Sequence, residues 1–240
     1  MFIEKLVDYN NQNSFGSKLR HNRSLRVVRI VERICEKYGS CRILDLGGTY
    51  VYWKVFPSNW FERYKIQITL LNLQAVPIPE ERTQHFRSVQ GNACMLKQFD
   101  DREFDLVHSN SVIEHVGSWE NMSSMASESI RVGKFLYHQT PYFWFPVEPH
   151  FLFPLLHWLP LPIRVKLAQR IALGNWPKAE SLDAAIAAQT SAVLLDKSMM
   201  ESLFRDARIE FEHFCCMPKS IIAYTLPMDN PPSSSTKTSK

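Results

Sequence analysis

The sequence predicts an α/β domain, doubly wound, with a mostly parallel seven-stranded sheet, helices on both faces, an antiparallel edge strand and a helical lid insertion rich in proline and aromatic residues. Three observations predict it. Short apolar runs alternate with helical patterns between residues 41 and 139, the order that builds a parallel sheet covered on both sides. Two of only eight glycines, Gly47 and Gly48, stand side by side directly after the first run. Two runs close the folded part with only CCMPKS between them, as a hairpin at a sheet edge would require.

The N-terminal helix is placed at 18–38, led in by Ser17, with Leu25, Val28, Val31 and Ile34 on its apolar side and Gly39 ending it. Its remaining positions carry Lys18, Arg20, Arg23, Arg26, Arg29 and Arg33, which read as a solvated face, with a phosphate- or anion-binding edge as the less favoured alternative. Cys41–Leu46 is the first strand, followed by a short helix near Val51–Phe61. Ile66–Leu73 is the second, continuously apolar as a strand buried on both faces should be. Phe86–Gln90, Phe104–Ser109 and Phe135–Gln139 are the next three. Between the last two, Trp119–Arg131 has Met122, Met125, Ala126 and Ile130 in helical register. The lid insertion spans 140–190, with Thr140 to Trp176 its proline- and aromatic-rich part and a helix near Leu182–Gln189. A helix at Asp196–Ala207 and strands at Arg208–Phe214 and Ile221–Leu226 complete a single domain over 1–228. The tail 229–240 is polar and reads as disordered.

Composition narrows the classes. Hydrophobic residues make up 45% and charged residues 22%, enough apolar material for a real core. A net charge of +4 falls short of a dedicated nucleic-acid binder. Five cysteines, an odd count without a C-x-x-C pair, read as reduced thiols of a cytoplasmic protein. The first residues carry Glu4 and Asp8 and no long apolar run, unlike a secretory signal. Phe143–Ile163 is long enough to cross a bilayer, but five prolines with Glu148, His150 and His157 argue against a transmembrane segment.

In open α/β sheets, ligands bind outside the carboxyl ends of the strands. After the first strand comes Asp45-Leu46-Gly47-Gly48-Thr49. The glycines permit either a tight turn alone or close approach of a ligand. Asp45 would repel a pyrophosphate and suit a cationic head group, and G-x-G-x-x-G is absent. After the second strand, Asn72 could bond ribose hydroxyls or merely cap the strand. After the third, Asn92 could read an adenine edge or simply make a turn with Gly91. After the fourth, FDLVHSNSVIEHV places Ser109 and Asn110 at the strand end and Glu114 and His115 just beyond.

These segments, in this order and spacing over residues 41 to 140, resemble the class I S-adenosylmethionine-dependent methyltransferases, in particular those with FD-x-V-x-S-x-S-x-x-E-H-V after the fourth strand (methyltransferase type 11-like). The resemblance implies a Rossmann-like fold with S-adenosyl-L-methionine as cofactor. It implies cofactor-binding roles for Asp45, Gly47, Gly48 and Thr49 (methionine part), Asn72 and Leu73 (ribose), Asn92 and Ala93 (adenine), and Ser109 and Asn110 (pocket floor). The chain departs from the family's usual acidic residues at Asn72 and Asn92, and has Tyr50 and Val51 where another glycine is common.

The function expected is methyl transfer to a small-molecule, lipid- or glycan-linked acceptor. The departures motivate an alternative, a catalytically weak or inactive scaffold on the same fold. A nucleic-acid methyltransferase is disfavoured, because the N/D-P-P-Y/F turn of base-amino methylation is missing after the fourth strand. Candidate catalytic bases are His138, at the end of the fifth strand, and Glu148 and His150, which an extended segment would put on one side. The last two could equally pin the lid by hydrogen bonds. No metal site is expected, since the spacing offers no third ligand. The aromatics from Tyr142 to Trp158 could wall an apolar acceptor or extend the core, and peripheral membrane contact is a weaker reading.

Overall fold

The computed structural model describes the backbone of residues 15–148 and 150–227, and side chains from Arg23 onward except Ser58. The proposed tail at 229–240 lies outside the described residues. Nine strands are present among them: β1 (Cys41–Leu46), β2 (Ile66–Asn72), β3 (Phe86–Gln90), β4 (Phe104–Asn110), β5 (Gly133–Pro141), β6 (Val147–Glu148), β7 (Phe153–Pro154), β8 (Arg208–Phe214) and β9 (Met217–Tyr224). The α-helices are α1 (Phe15–Tyr38), α2 (Tyr50–Trp53), α3 (Ser58–Arg63), α4 (Trp119–Val132), α5 (Leu161–Ala168), α6 (Leu182–Thr190) and α7 (Lys197–Leu203).

Seven strands form one sheet in the order β3-β2-β1-β4-β5-β9-β8. β1 to β5 pair in parallel, and the closing hairpin β8–β9 joins β5 through an antiparallel β9. Its two-residue turn is Cys215–Cys216, with φ of 47° and 66°. A tight hairpin turn needs this left-handed backbone, for which Asn-Gly is the usual choice.

Each face of the sheet has its own apolar layer. On one, Cys41, Ile43, Ile68 and Leu106 meet Val27, Ile30, Val31 and Ile34 of α1 and the aromatics Trp53, Phe56, Trp60 and Phe61. On the other, Leu44, Leu46 and Val107 meet Met122, Met125 and Ala126 of α4 and Met200, Leu203 and Phe204 at α7. Two residues expected in these stripes lie outside. Leu25 is 41% exposed and Ile130 is 49% exposed. At 100° per residue Leu25 falls on the far side of α1 from Val27 and Ile34. On α4 the fourth buried position is Ser129, whose hydroxyl donates to the Met125 carbonyl at 2.7 Å. The arginine face of α1 is also more engaged than a solvated surface. Arg23 and Arg26 pair with Glu212 and Glu210 of β8, at 2.6 and 3.1 Å.

Residues 142–195 leave the sheet at Tyr142 and return at Leu195, two positions that themselves form a bridge. Between them Phe151, Leu156, Val165, Ala168, Leu173 and Ala185 bury one another in a small separate cluster. No helix among the described residues is long and apolar enough to cross a membrane.

Candidate active site at the strand carboxyl ends

Parallel pairing fixes which side chains meet. Register places Asp45 of β1 beside His108 of β4, and His108 beside Tyr137 of β5. All three point to the α1 side of the sheet. His108 Nδ1 donates to Asp45 Oδ1 at 2.7 Å, and Trp53 Nε1 donates to Asp45 Oδ2 at 2.7 Å. The imidazole stacks on Tyr137 with centroids 5.3 Å apart and also packs on Tyr52 and Trp53. Asp45 and His108 are each only 1% exposed.

This corrects the expectation for Asp45. Its carboxylate does not face outward toward a cationic ligand. It is turned into the core, with each oxygen holding a buried donor. The neighbouring glycines are shaped by the same arrangement. A Cβ on Gly48 would lie 1.7 Å from Asp45 Oδ2, and one on Gly47, where φ is +69°, would lie 2.6 Å from Val112 Cγ2. The glycine pair therefore lets the loop wrap a buried carboxylate and approach the loop after β4.

The other expected cofactor residues do converge, because β1 to β4 are parallel and their loops share one sheet edge. Gly47, Thr49, Leu73 and Asn92 are exposed there, while Gly48, Asn72, Ala93 and Asn110 are half-buried. Asn72 Nδ2 donates to the Gly48 carbonyl at 2.8 Å, which joins the first two loops and leaves Oδ1 as an acceptor. Asn92 Oδ1 accepts from the Cys94 amide at 2.9 Å, an Asx turn. Ser109 is 1% exposed and its hydroxyl has no partner. Asn110 Oδ1 accepts from Arg23 Nη1 at 2.6 Å, so α1 reaches the end of β4.

Of the three proposed bases, His138 is misplaced for that work. It is fully buried on the α7 side, its ring 4.6 Å from that of Phe204, with neither nitrogen partnered. Burial, with His108 nearby, pushes its pKa down to about 3, so the ring is neutral. Below the ordinary imidazole value of 6.5 the unfolded chain takes up a proton that the folded chain refuses. Stability should therefore fall as pH drops from 6.5 toward about 3, by at most about 1.4 kcal/mol per pH unit from this group. His138→Leu is expected to flatten that slope in urea unfolding. A slope identical to that of the parent would refute the assignment.

Glu148 and His150 do meet. His150 Nδ1 is hydrogen-bonded to Glu148 Oε1, and this contact holds the imidazole pKa above its usual value. Glu148 is 3% exposed, and its second oxygen accepts from the Phe151 amide at 2.8 Å. Sequence reasoning did not foresee what His150 meets next. Its Nε2 lies 3.0 Å from Nε2 of His115. Glu114 is fully buried beside them and accepts from Thr140 Oγ1 at 2.9 Å. Behind Glu148 lies a cavity of about 190 Å³ lined by Phe143, Phe151, Leu156, Arg164 and Gln189 among others. The side-chain amide of Gln189, 2% exposed, has no partner there.

Residues 54–135 match the family model described as "Methyltransferase domain". No curated protein sequence matches the chain. Among solved structures, a SAM-dependent methyltransferase from Archaeoglobus fulgidus has a TM-score of 0.50 at 16% identity, covering 93% of this chain and 98% of that one. An O-methyltransferase family protein from Burkholderia thailandensis has a TM-score of 0.45 at 9% identity, covering 89% of this chain and 59% of that one. A solved chain from Galdieria sulphuraria has a TM-score of 0.36 at 16% identity, covering 50% of this chain and 45% of its own. The domain match covers about a third of the chain, and the likeness to the Archaeoglobus fulgidus structure shows a shared fold.

Proposed function

We propose that the chain transfers a methyl group from S-adenosylmethionine to a small-molecule, lipid-linked or glycan-linked acceptor. The observation that carries this reading is the convergence of four loops at one sheet edge, three of them within the residues 54–135 that match a methyltransferase domain. The residues there suit the cofactor. The backbone of Gly47–Thr49 is accessible for the methionine part, the free Oδ1 of Asn72 can accept from ribose, Leu73, Asn92 and Ala93 border the adenine, and the unpartnered hydroxyl of Ser109 lies at the floor with Asn110. Asp45 acts indirectly, by fixing the turn that carries the glycines.

The cofactor supplies an already electrophilic sulfonium methyl. The protein's task is to hold an acceptor in line and exclude water, and orientation of that kind can supply up to about 7–11 kcal/mol. In this reading Glu148 and His150 stand on the acceptor side, with the carboxylate fixing the ring whose Nε2 faces His115. Segment 142–195 acts as the lid. Its surface exposes Trp144, Leu155, Trp158, Leu159 and Ile163, which favours an acceptor with an apolar part.

Calorimetry with S-adenosylhomocysteine is expected to show about one site per chain. Asn72→Ala should weaken it about tenfold, the worth of roughly one hydrogen bond. Folded protein that binds none of the compound would remove the proposal. That outcome would instead favour a non-catalytic scaffold, a reading to which the internally satisfied Asp45 lends weight.

A further inference from the structure

Glu114, His115 and His150 each offer a ligand atom, and these atoms lie within 4.8 Å of one another. We propose that they bind one divalent transition-metal ion of zinc's class through Glu114 Oε1 and the two imidazole Nε2 atoms.

Hydrogen bonding fixes the chemistry of both rings. His115 Nδ1 lies 2.9 Å from the Ser191 carbonyl, which can only accept, so Nδ1 carries the proton. His150 Nδ1 faces the Glu148 carboxylate, which is an acceptor as well. In their neutral forms both rings therefore turn a bare lone pair from Nε2 toward the other, at 3.0 Å. Two lone pairs at that distance repel unless a cation lies beside both. A shared proton is one such cation and a metal ion is the other.

A second, independent observation favours the metal. Glu114 is fully buried, and its Oε1 has no partner, whereas Oε2 is bonded to Thr140. A buried carboxylate oxygen without a donor is costly, and coordination would satisfy it. The supports match those of metal ligands elsewhere, where a histidine commonly donates its other ring N–H to a carboxylate or a backbone carbonyl. Here Glu148 supports His150 and Ser191 supports His115. The Val193 amide further ties this strand of chain to the Glu114 carbonyl at 2.7 Å. Two nitrogens and one carboxylate oxygen suit zinc and its neighbours better than magnesium or calcium, which prefer all-oxygen sets. Three protein ligands leave a position for water or for an oxygen of a bound molecule.

The site begins four residues after Asn110, on the turn that follows the proposed cofactor floor. It stands without the methyltransferase reading, and the two are separable by experiment. Full-length chain is stripped with a chelator, dialysed, and titrated with Co(II), with visible spectra and metal analysis as readouts. About one ion per chain is expected, with the ligand-field bands of a four- or five-coordinate site. His115→Ala, at an exposed position, and His150→Ala should each weaken binding by at least about 100-fold, and Glu148→Gln by about 10–100-fold. Circular dichroism of the metal-free variants checks their fold. Failure of the folded parent to bind would overturn the proposal and leave the shared proton. Equal affinity in His115→Ala would also overturn it, placing the ion elsewhere, for instance at Cys215 and Cys216. S-adenosylhomocysteine binding in the same preparation reports on the cofactor site alone.

Discussion

Asp45→Ala should lower the unfolding free energy by about 3–5 kcal/mol, a loss large enough to endanger the native state of an ordinary domain. The substitution strands two donors, the Trp53 indole N–H and the His108 Nδ1–H, in a site where both residues are at most 1% exposed. Each unsatisfied buried donor costs about 1–3 kcal/mol. The lost carboxylate also leaves a void beside Gly48, where an added Cβ would meet Asp45 Oδ2. Asp45→Asn should cost about half as much, because its carbonyl oxygen still accepts one of the two bonds while its amino group opposes the other donor. Urea midpoints of the three proteins measure the difference. If Asp45→Ala were as stable as the parent and lost only ligand affinity, the carboxylate would have to face the cofactor directly, and the buried network described above would be wrong.

Gly174→Ala should unfold the small cluster of segment 142–195 while sparing the sheet. Gly174 has φ of +56°, and a Cβ there would sit 1.7 Å from the Phe151 carbonyl oxygen and 2.8 Å from its carbon. The obstacle is main chain, so no rotamer relieves it. The left-handed backbone adds about 1–2 kcal/mol for a residue with a Cβ. The turn it occupies also carries Asn175, whose amide donates to the Phe151 carbonyl at 3.1 Å, and Trp176, whose indole donates to the His150 carbonyl at 3.1 Å. Hydrogen exchange should therefore show lost protection from about residue 150 to 190, with β1, β4 and β5 little changed. Metal affinity should fall with it, since His150 hangs on that turn. Uniform loss of protection across the sheet would mean that the segment is not a separate unit.

Much of the sheet was legible because each strand is a short apolar run bounded by turn residues. β1, β3 and β8 have the limits that the sequence predicts, and β2 and β4 differ by one residue at their ends. The single helix expected near Val51–Phe61 is two, broken where Pro57 takes an extended backbone before α3, a break that proline chemistry could have signalled. β9 begins at Met217, four residues before the expected Ile221, although Pro218 and Lys219 look like turn. Near the hairpin end of the sheet, beside an irregularity at Glu212/His213, proline is tolerated.

The site was less legible, and for a common reason. Its decisive pairs are distant in sequence. The residues 45 and 108 meet only through strand register, although the period-two pattern of FDLVHS does put His108 on the same face as Leu106. His115 and His150 meet only because the chain from 142 to 195 folds back past β4. Spacing along the chain could identify Glu148 with His150, two residues apart, but could not supply the third and fourth members of that group.

The Arg23 guanidinium has a consequence for how the protein is made. Its carboxylate partner, Glu212, follows 189 positions later, while its other partner, Asn110, sits at the rim of the proposed cofactor site. During synthesis the first helix must emerge from the ribosome before this cation's carboxylate partner exists, since Glu212 arrives only with the closing hairpin. A nascent chain stopped short of β8 would carry the four loops of the cofactor edge and still lack the carboxylate that pairs with Arg23 beside Asn110.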